Sequence, residues 1–293
     1  MMNNQVKLDR YKQELAKIYS QRSQNYDESK WHSQITHRLV ASAQIKPGDK
    51  VLDIATGTGH VAIEVAQLVG DNGRIVGIDI SSGMLEQARK KVAQLNLKNI
   101  EFQLADGENI DFPANSFDLI FCANAFPLMA DKAATLRLWS QFLKPGSYIG
   151  IHSIAETGFT GIVVLEKVLE NHGINLDVFH LSNTVNTIEK YQNLLIQADL
   201  EIISVEMENH GSYLSLEDAK KRWNLVYYPS PGNIPNPLTQ LSSKEIEQMK
   251  AEFEEELKRL ITPKGIWNNG TTFLVLGRKV VDLEEMGRWG DGE

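Results

Sequence analysis

Apolar positions along the chain follow two rhythms, and the switches between them lay out the elements. Leu8, Tyr11, Leu15 and Ile18 recur at helical spacing, as do Ile35, Leu39 and Val40, so residues 1–45 read as mainly helical around an aromatic and polar loop at 26–32. After the turn at Lys46-Pro47-Gly48-Asp49 the rhythm changes. Short continuous or alternating apolar runs end at Asp53, Asp79, Asp106 and Ala123, and a fifth covers Tyr148–Ser153. Between them lie helical repeats: Val61, Val65, Leu68; Met84, Leu85, Ala88, Val92; and Leu136, Trp139, Leu143. Ser81 or Ser82 is placed to cap the second of these helices and Asp131 the third, while Lys144-Pro145-Gly146 stops the third. Strand and helix in alternation predict a parallel sheet with helices on both faces, an α/β fold of Rossmann-like type.

Beyond residue 155 the alternation breaks. Val164, Leu165 and Val168 predict a helix within an insertion at 156–182. Ile188, Tyr191, Leu195 and Ala198 predict another before a strand at 201–206. A second insertion, 212–270, contains an irregular proline-rich stretch from Pro229 to Pro237. It also holds a helix that opens on the capping box Ser242/Glu245 and carries Ile246, Met249, Phe253, Leu257 and Leu260. Thr271–Gly277 reads as the closing strand. The implied organisation is an N-terminal helical segment at 1–45, a core from 46–155, 183–211 and 271–281, two insertions, and a frayed tail from 282 to 293.

Charge and cysteine content narrow the function. With 30 basic and 38 acidic residues the net charge is −8, and no basic stripe exceeds Arg89-Lys90-Lys91 or Lys220-Lys221-Arg222, so nucleic acid is not expected as a partner. The single cysteine, Cys122, sits in an apolar run and reads as a buried thiol, so no cysteine cluster can hold a metal. The seven histidines show no ligand spacing, and no metal site is expected. No apolar run approaches the ~20 residues of a membrane span, and the N-terminus lacks a signal-peptide pattern, so a cytoplasmic protein is expected.

The chemistry concentrates at Lys50–His60. Asp53 falls where the first strand stops, Gly57 and Gly59 permit a tight turn close to a ligand, and a helix follows. The glycines alone also fit a dinucleotide fingerprint, with Asp79 twenty residues on taking ribose hydroxyls in either case. Three features favour a different nucleoside. Asp53 precedes the turn, where an acid is unfavourable to a pyrophosphate but suits an ammonium and a sulfonium. Met84, one helical turn past Asp79, can cover an adenine face, and Asp106 can accept an adenine 6-amino group.

Taken together, Val51-Leu52-Asp53-Ile54-Ala55-Thr56-Gly57-Thr58-Gly59, Asp79 with Met84-Leu85, Asp106-Gly107, Phe117-Asp118-Leu119-Ile120 and Leu143-Lys144-Pro145-Gly146 resemble a class I S-adenosylmethionine-dependent methyltransferase. Within that superfamily the chain is most similar to the small-molecule group that includes ubiquinone/menaquinone-type C-methyltransferases. The match covers residues 15–155 and, more loosely, the last strand. The resemblance implies a seven-stranded sheet with its last strand antiparallel and S-adenosyl-L-methionine across the carboxyl ends of the first strands. It implies Ala55, Gly57 and Gly59 beside the methionine part, with Asp53 holding it indirectly. It further implies Asp79 and Ile80 at the ribose, Met84 and Asp106-Gly107 around the adenine, and Ala123 or Asn124 at the methyl-donor end. Ala55 departs from the glycine common in the family. A Tyr-Asp segment matching Tyr26-Asp27 often folds over the cofactor in the family, making 1–45 a helical lid.

Methyl transfer is an in-line displacement, and alignment can supply up to about 7–11 kcal/mol. The candidate general base is His152, at the end of the fifth strand, followed by His32 and Tyr26 in the N-terminal segment. Tyr227 and Tyr228 could gate the proline-rich loop. The turn Asn124-Ala125-Phe126-Pro127 lacks the paired prolines of amide- and base-methylating enzymes. The expected acceptor is therefore a small molecule or peptide-like metabolite in a closed apolar pocket, with oxygen methylation favoured and nitrogen or carbon open. Two other classes stay open: an NAD(P)-dependent oxidoreductase, and a non-catalytic cofactor-binding subunit. Acceptor identity and oligomeric state are not legible.

Overall fold

A computed structural model of the chain describes residues 7–28, 30–155, 159–174, 185, 187–227 and 236–281. Five strands, β1 (Lys50–Ile54), β2 (Arg74–Asp79), β3 (Ile100–Leu104), β4 (Phe117–Ala123) and β5 (Leu143–Ala155), pair in parallel in the order 3-2-1-4-5. β7 (Ile266–Lys279) adds antiparallel to β5, and β6 (Leu200–Leu214) adds antiparallel to β7 at the edge. The result is the expected seven-stranded sheet with an antiparallel last strand.

Both sheet faces are covered because the central strands are apolar on both sides. On one face Leu52, Ile54, Ile120 and Ile149 pack with Trp139 of α5 (Lys132–Phe142) and with Tyr191 and Leu195 of α7 (Ile188–Gln197). On the other, Val51, Ile75, Leu119 and Phe121 pack with Leu39 of α2 (Lys30–Ser42) and Val61 and Val65 of α3 (His60–Val69). α1 (Arg10–Arg22) lies against α4 (Ser82–Gln94): Ser20 meets Ser81 at 2.8 Å, and a Cβ on Gly83 would fall 2.9 Å from the Ser20 backbone. Caps form where the composition asks for them, at Asp9, Ser81, Asp131 and Thr187, with a full capping box at Ser242/Glu245.

The sequence expectation misjudges β6 and β7. They run well past the predicted 201–206 and 271–277, and stay paired from Asn209↔Thr271 out to Leu214↔Ile266. This hairpin extension carries a third apolar cluster made of α6 (Thr160–Asn171), α8 (Leu216–Lys220) and α9 (Ser243–Arg259), centred on Leu165, Trp223, Phe253 and Leu257. The two insertions thus pack on each other rather than separately on the sheet. The loop expected at 26–32 is shorter than predicted, since a 3-10 turn forms at Tyr26–Glu28 and α2 begins at Lys30. His180, Tyr228, most of the proline-rich stretch and the tail from 282 fall outside the described residues.

Candidate active site

The site is built where β1–β4 end. Asp53 closes β1 at 1% exposure. One of its oxygens accepts from Thr56 Oγ1 (2.5 Å) and from the Ala62 backbone N–H (3.1 Å), tying the strand to the start of α3. The other oxygen, Oδ1, is buried without a partner. Burial, opposed by those donors, raises the Asp53 carboxyl to about 7. The turn itself is left-handed at Ala55, Gly57 and Gly59, with φ of 56°, 56° and 85°. Alanine at 55 therefore sits in a conformation that costs a non-glycine residue ~1–2 kcal/mol. Gly59 lies beneath the turn, where a Cβ would press on Ala88 and Phe102.

Asp79 closes β2 and accepts from the backbone N–H groups of Gly57 (2.9 Å) and Ser81 (2.8 Å). Burial lifts it to about 6. Both acids are poor homes for negative charge when nothing cationic is near, which suits them to a positively charged ligand.

Asp106 follows β3. Its Oδ2 accepts from Lys12 Nζ (2.7 Å) and Asn109 Nδ2 (2.7 Å), and its Oδ1 from the Glu108 N–H (3.1 Å). Trp139 Nε1 donates to the Gly107 carbonyl at 2.8 Å, anchoring this loop to the core. The three loops and α1 form a crevice open on one side, bordered by Ala55, Gly57, Asp79, Ile80, Met84, Asp106, Gly107, Ala123 and Tyr26. A smaller pocket of about 350 Å³ adjoins it, sharing Tyr26, Ala55, Gly57, Ala123 and Asn124 and adding Asp53 and His32.

All the sequence-predicted cofactor residues except Gly59 border one or both of these spaces. His152 borders neither. It sits one residue layer back, where its Nδ1 meets Asn124 Oδ1 at 2.7 Å and its carbonyl accepts from the Asn124 N–H at 2.7 Å. Burial, with the nearby His210 and Arg38 charges, pushes its imidazole down to about 3. Tyr26 and His32 stack with ring centres 4.3 Å apart, and burial keeps the Tyr26 phenol neutral. Exposed Tyr227 lies in the insertion cluster's 3-10 segment and borders neither space.

Sequence reasoning missed several participants. Lys12, buried on α1 between Tyr11 and Leu15, reaches both Asp106 and Glu108 (2.8 Å). The only trace of this in the sequence is that Lys12 shares the helical face of Leu8 and Leu15. Asp27 accepts from Thr58 Oγ1 (2.5 Å), His60 Nε2 (2.9 Å) and Lys91 Nζ (2.7 Å), and so fastens the N-terminal segment to α3 and α4. Burial opposes the Asp27 charge, but the Lys91 and Thr58 donors hold its carboxyl below the ordinary range. Tyr11 adds a bond from its hydroxyl to the Leu128 carbonyl.

Known proteins share this fold. The methyltransferase domain family matches residues 45–214. The ubiquinone/menaquinone biosynthesis C-methyltransferase UbiE of Teredinibacter turnerae is 30% identical over 185 residues, covering 60% of this chain and 73% of that protein. The aklanonic acid methyltransferase DauC of a Streptomyces species is 33% identical over 145 residues, covering 49% of this chain and 66% of DauC. A Bacillus halodurans structure described as that of a methyltransferase superposes with a TM-score of 0.59 at 18% identity, covering 84% of this chain and 99% of that one. The matched span runs from the turn before β1 through β6, and the chain belongs to the class I S-adenosylmethionine-dependent methyltransferases.

Proposed function

We propose that the protein methylates a small organic acceptor, with oxygen as the favoured site, and that the acceptor meets the donor near Asn124 and the end of β5. The observation that carries this reading is the buried, unpartnered Asp53 Oδ1 at the glycine turn, backed by Asp79. Two strained acids around one crevice fit a cationic nucleoside and would repel a pyrophosphate. When bound, S-adenosylmethionine supplies an electrophilic methyl group. The chain's residues then have separable tasks. Asp79 takes the ribose hydroxyls, Asp53 balances the cation, Met84 and Gly107 border the purine, and Tyr26 with α1 excludes water.

His152 is the proposed base. Its bond to Asn124 Oδ1 favours the tautomer with the proton on Nδ1. With its imidazole pushed down to about 3, it rests unprotonated at neutral pH and holds a proton only weakly. The acceptor proton must therefore pass on quickly, and His152 adds no titration step to the rate near neutrality. His32 and Tyr26, on the donor side, are proposed as gating residues with a secondary claim to proton transfer.

A second reading, carbon methylation, is favoured by the likeness to UbiE. A peptide-like acceptor is less favoured, given that the relatives' names refer to aklanonic acid and to ubiquinone/menaquinone biosynthesis. A cytoplasmic setting belongs to the same proposal and accords with the lone buried thiol of Cys122.

The test is calorimetric titration with S-adenosylhomocysteine and, separately, NADPH. Transfer of labelled methyl is then assayed to a panel of hydroxyaryl, carboxyl, amine and quinol acceptors. Tight adenosyl binding with label on an oxygen is the expected result. Label appearing only on the quinol ring carbon would replace oxygen by carbon, and NADPH binding without adenosyl binding would overturn the reading.

A further inference from the structure

The adenine-side acid is not alone: Lys12, brought in by α1, places its Nζ 2.7 Å from Asp106 and 2.8 Å from Glu108. All three side chains are at most 10% exposed. Glu108 is itself pinned, accepting through Oε1 from the Ala130 and Asp131 N–H groups (2.9 and 3.1 Å) and from Thr135 Oγ1 (3.2 Å) where α5 begins. Asn109 fixes the same Asp106 oxygen from the other side. The ammonium is thus held by two anchored carboxylates on a loop that Trp139 ties to the core.

We infer that Lys12 is a positioning residue for purine selection: by pairing with Asp106 and Glu108 it holds the Asp106 carboxylate in place as a hydrogen-bond acceptor, so that the purine edge facing it must be a donor. This rests on the proposed placement of adenine beside Asp106. An ionised carboxylate has no proton to give, so it accepts from the 6-amino group of adenine and repels the 6-oxo group of hypoxanthine. Without Lys12, two buried carboxylates of like charge would face one site uncompensated and push apart. A displaced Asp106 would no longer meet the 6-amino group, and the discrimination would fade. Burial works against the Lys12 ammonium, but the two carboxylates more than offset it and hold Lys12 above the ordinary lysine value. Because Lys12 belongs to α1, base selection and seating of the N-terminal segment occur together.

The test measures dissociation constants of S-adenosylhomocysteine and S-inosylhomocysteine for the full chain and its variants. The native protein should prefer the adenosyl ligand strongly. Lys12→Met and Lys12→Gln should lower that preference at least about tenfold, the cost of a mispaired buried polar group. Lys12→Arg should retain it. The double variant Lys12→Gln/Glu108→Gln removes the like-charge neighbour and should restore much of the preference. If Lys12→Met fails to fold, Lys12→Gln, one bond shorter and still a donor, carries the comparison. Equal weakening of both ligands in Lys12→Gln, with no return in the double variant, would show that Lys12 merely fastens α1 and would overturn the inference. A native protein that binds neither ligand would instead sink the cofactor placement beneath it.

Discussion

The two ends of the crevice are built by opposite means. At the adenosyl end, charges are engaged before any ligand arrives: Asp106 with Lys12, Asn109 and Glu108, and Asp79 with the glycine turn. At the far end, near β4, the bordering side chain is Asn124, whose own backbone is left-handed (φ 61°), with the neutral His152 one layer behind it. The first end presents side chains fixed by hydrogen bonds and charge. The second presents a neutral amide to the crevice. A site that must hold one universal nucleoside and one particular acceptor profits from this split, because affinity and chemistry can be altered separately.

Substitutions at the two ends should therefore separate binding from turnover, and the largest effect is expected at the neutral end. His152→Ala should lower turnover by about 10²–10⁴-fold while leaving S-adenosylhomocysteine affinity within about threefold. Steady-state kinetics and titration calorimetry on one preparation would check this, and unimpaired turnover would remove His152 as base. Next is Trp139→Ala, which empties a fully buried site and strands the Gly107 carbonyl. A loss of ~3–5 kcal/mol in denaturant unfolding is expected, together with weaker cofactor binding. Stability lost with affinity intact would detach the adenosyl loop from the core.

Asp79→Ala should weaken S-adenosylhomocysteine by about 1.5–3 kcal/mol, the scale of hydrogen bonds to a charged group, without changing the acceptor KM. The smallest effect is a pH dependence. Asp53 and Asp79 are raised to about 7 and about 6, so in the ligand-free fold they bind protons that the unfolded chain has already released. Stability of the free protein should then fall as pH rises from about 4 through 7. Affinity for the cationic donor should rise, on the order of tenfold between pH 5.5 and 8. Thermal shifts with and without S-adenosylmethionine would measure both, and parallel curves would show that neither acid feels the ligand's charge.

The N-terminal half of the site was readable because each element announces itself locally. An apolar run ends at an acid, a glycine pair permits the bend, and a serine or aspartate caps the next helix, all within a few residues of one another. Asp53, Gly57, Asp79, Met84 and Asp106 lie in register for that reason. Lys12 was invisible because its partners are 94 and 96 positions away (106 − 12 and 108 − 12), and nothing local distinguishes a buried lysine from a solvated one. The same holds for Asp27, whose donors come from Thr58, His60 and Lys91. β6 was underestimated because an edge strand buries little, so its exposed positions carry no alternation to read.

The amino-acid order by itself determined the parallel α/β core and the methyltransferase family, since those depend on short-range patterns that steric and capping rules translate directly. Only the folded chain decided that Lys12 pairs with Asp106 and Glu108 and that the two insertions pack together on the extended β6–β7 pair. Only there does His152 face Asn124 rather than open space. These are encounters between residues far apart in sequence, set by the burial of apolar surface, which takes no account of the order in which its contributors are written.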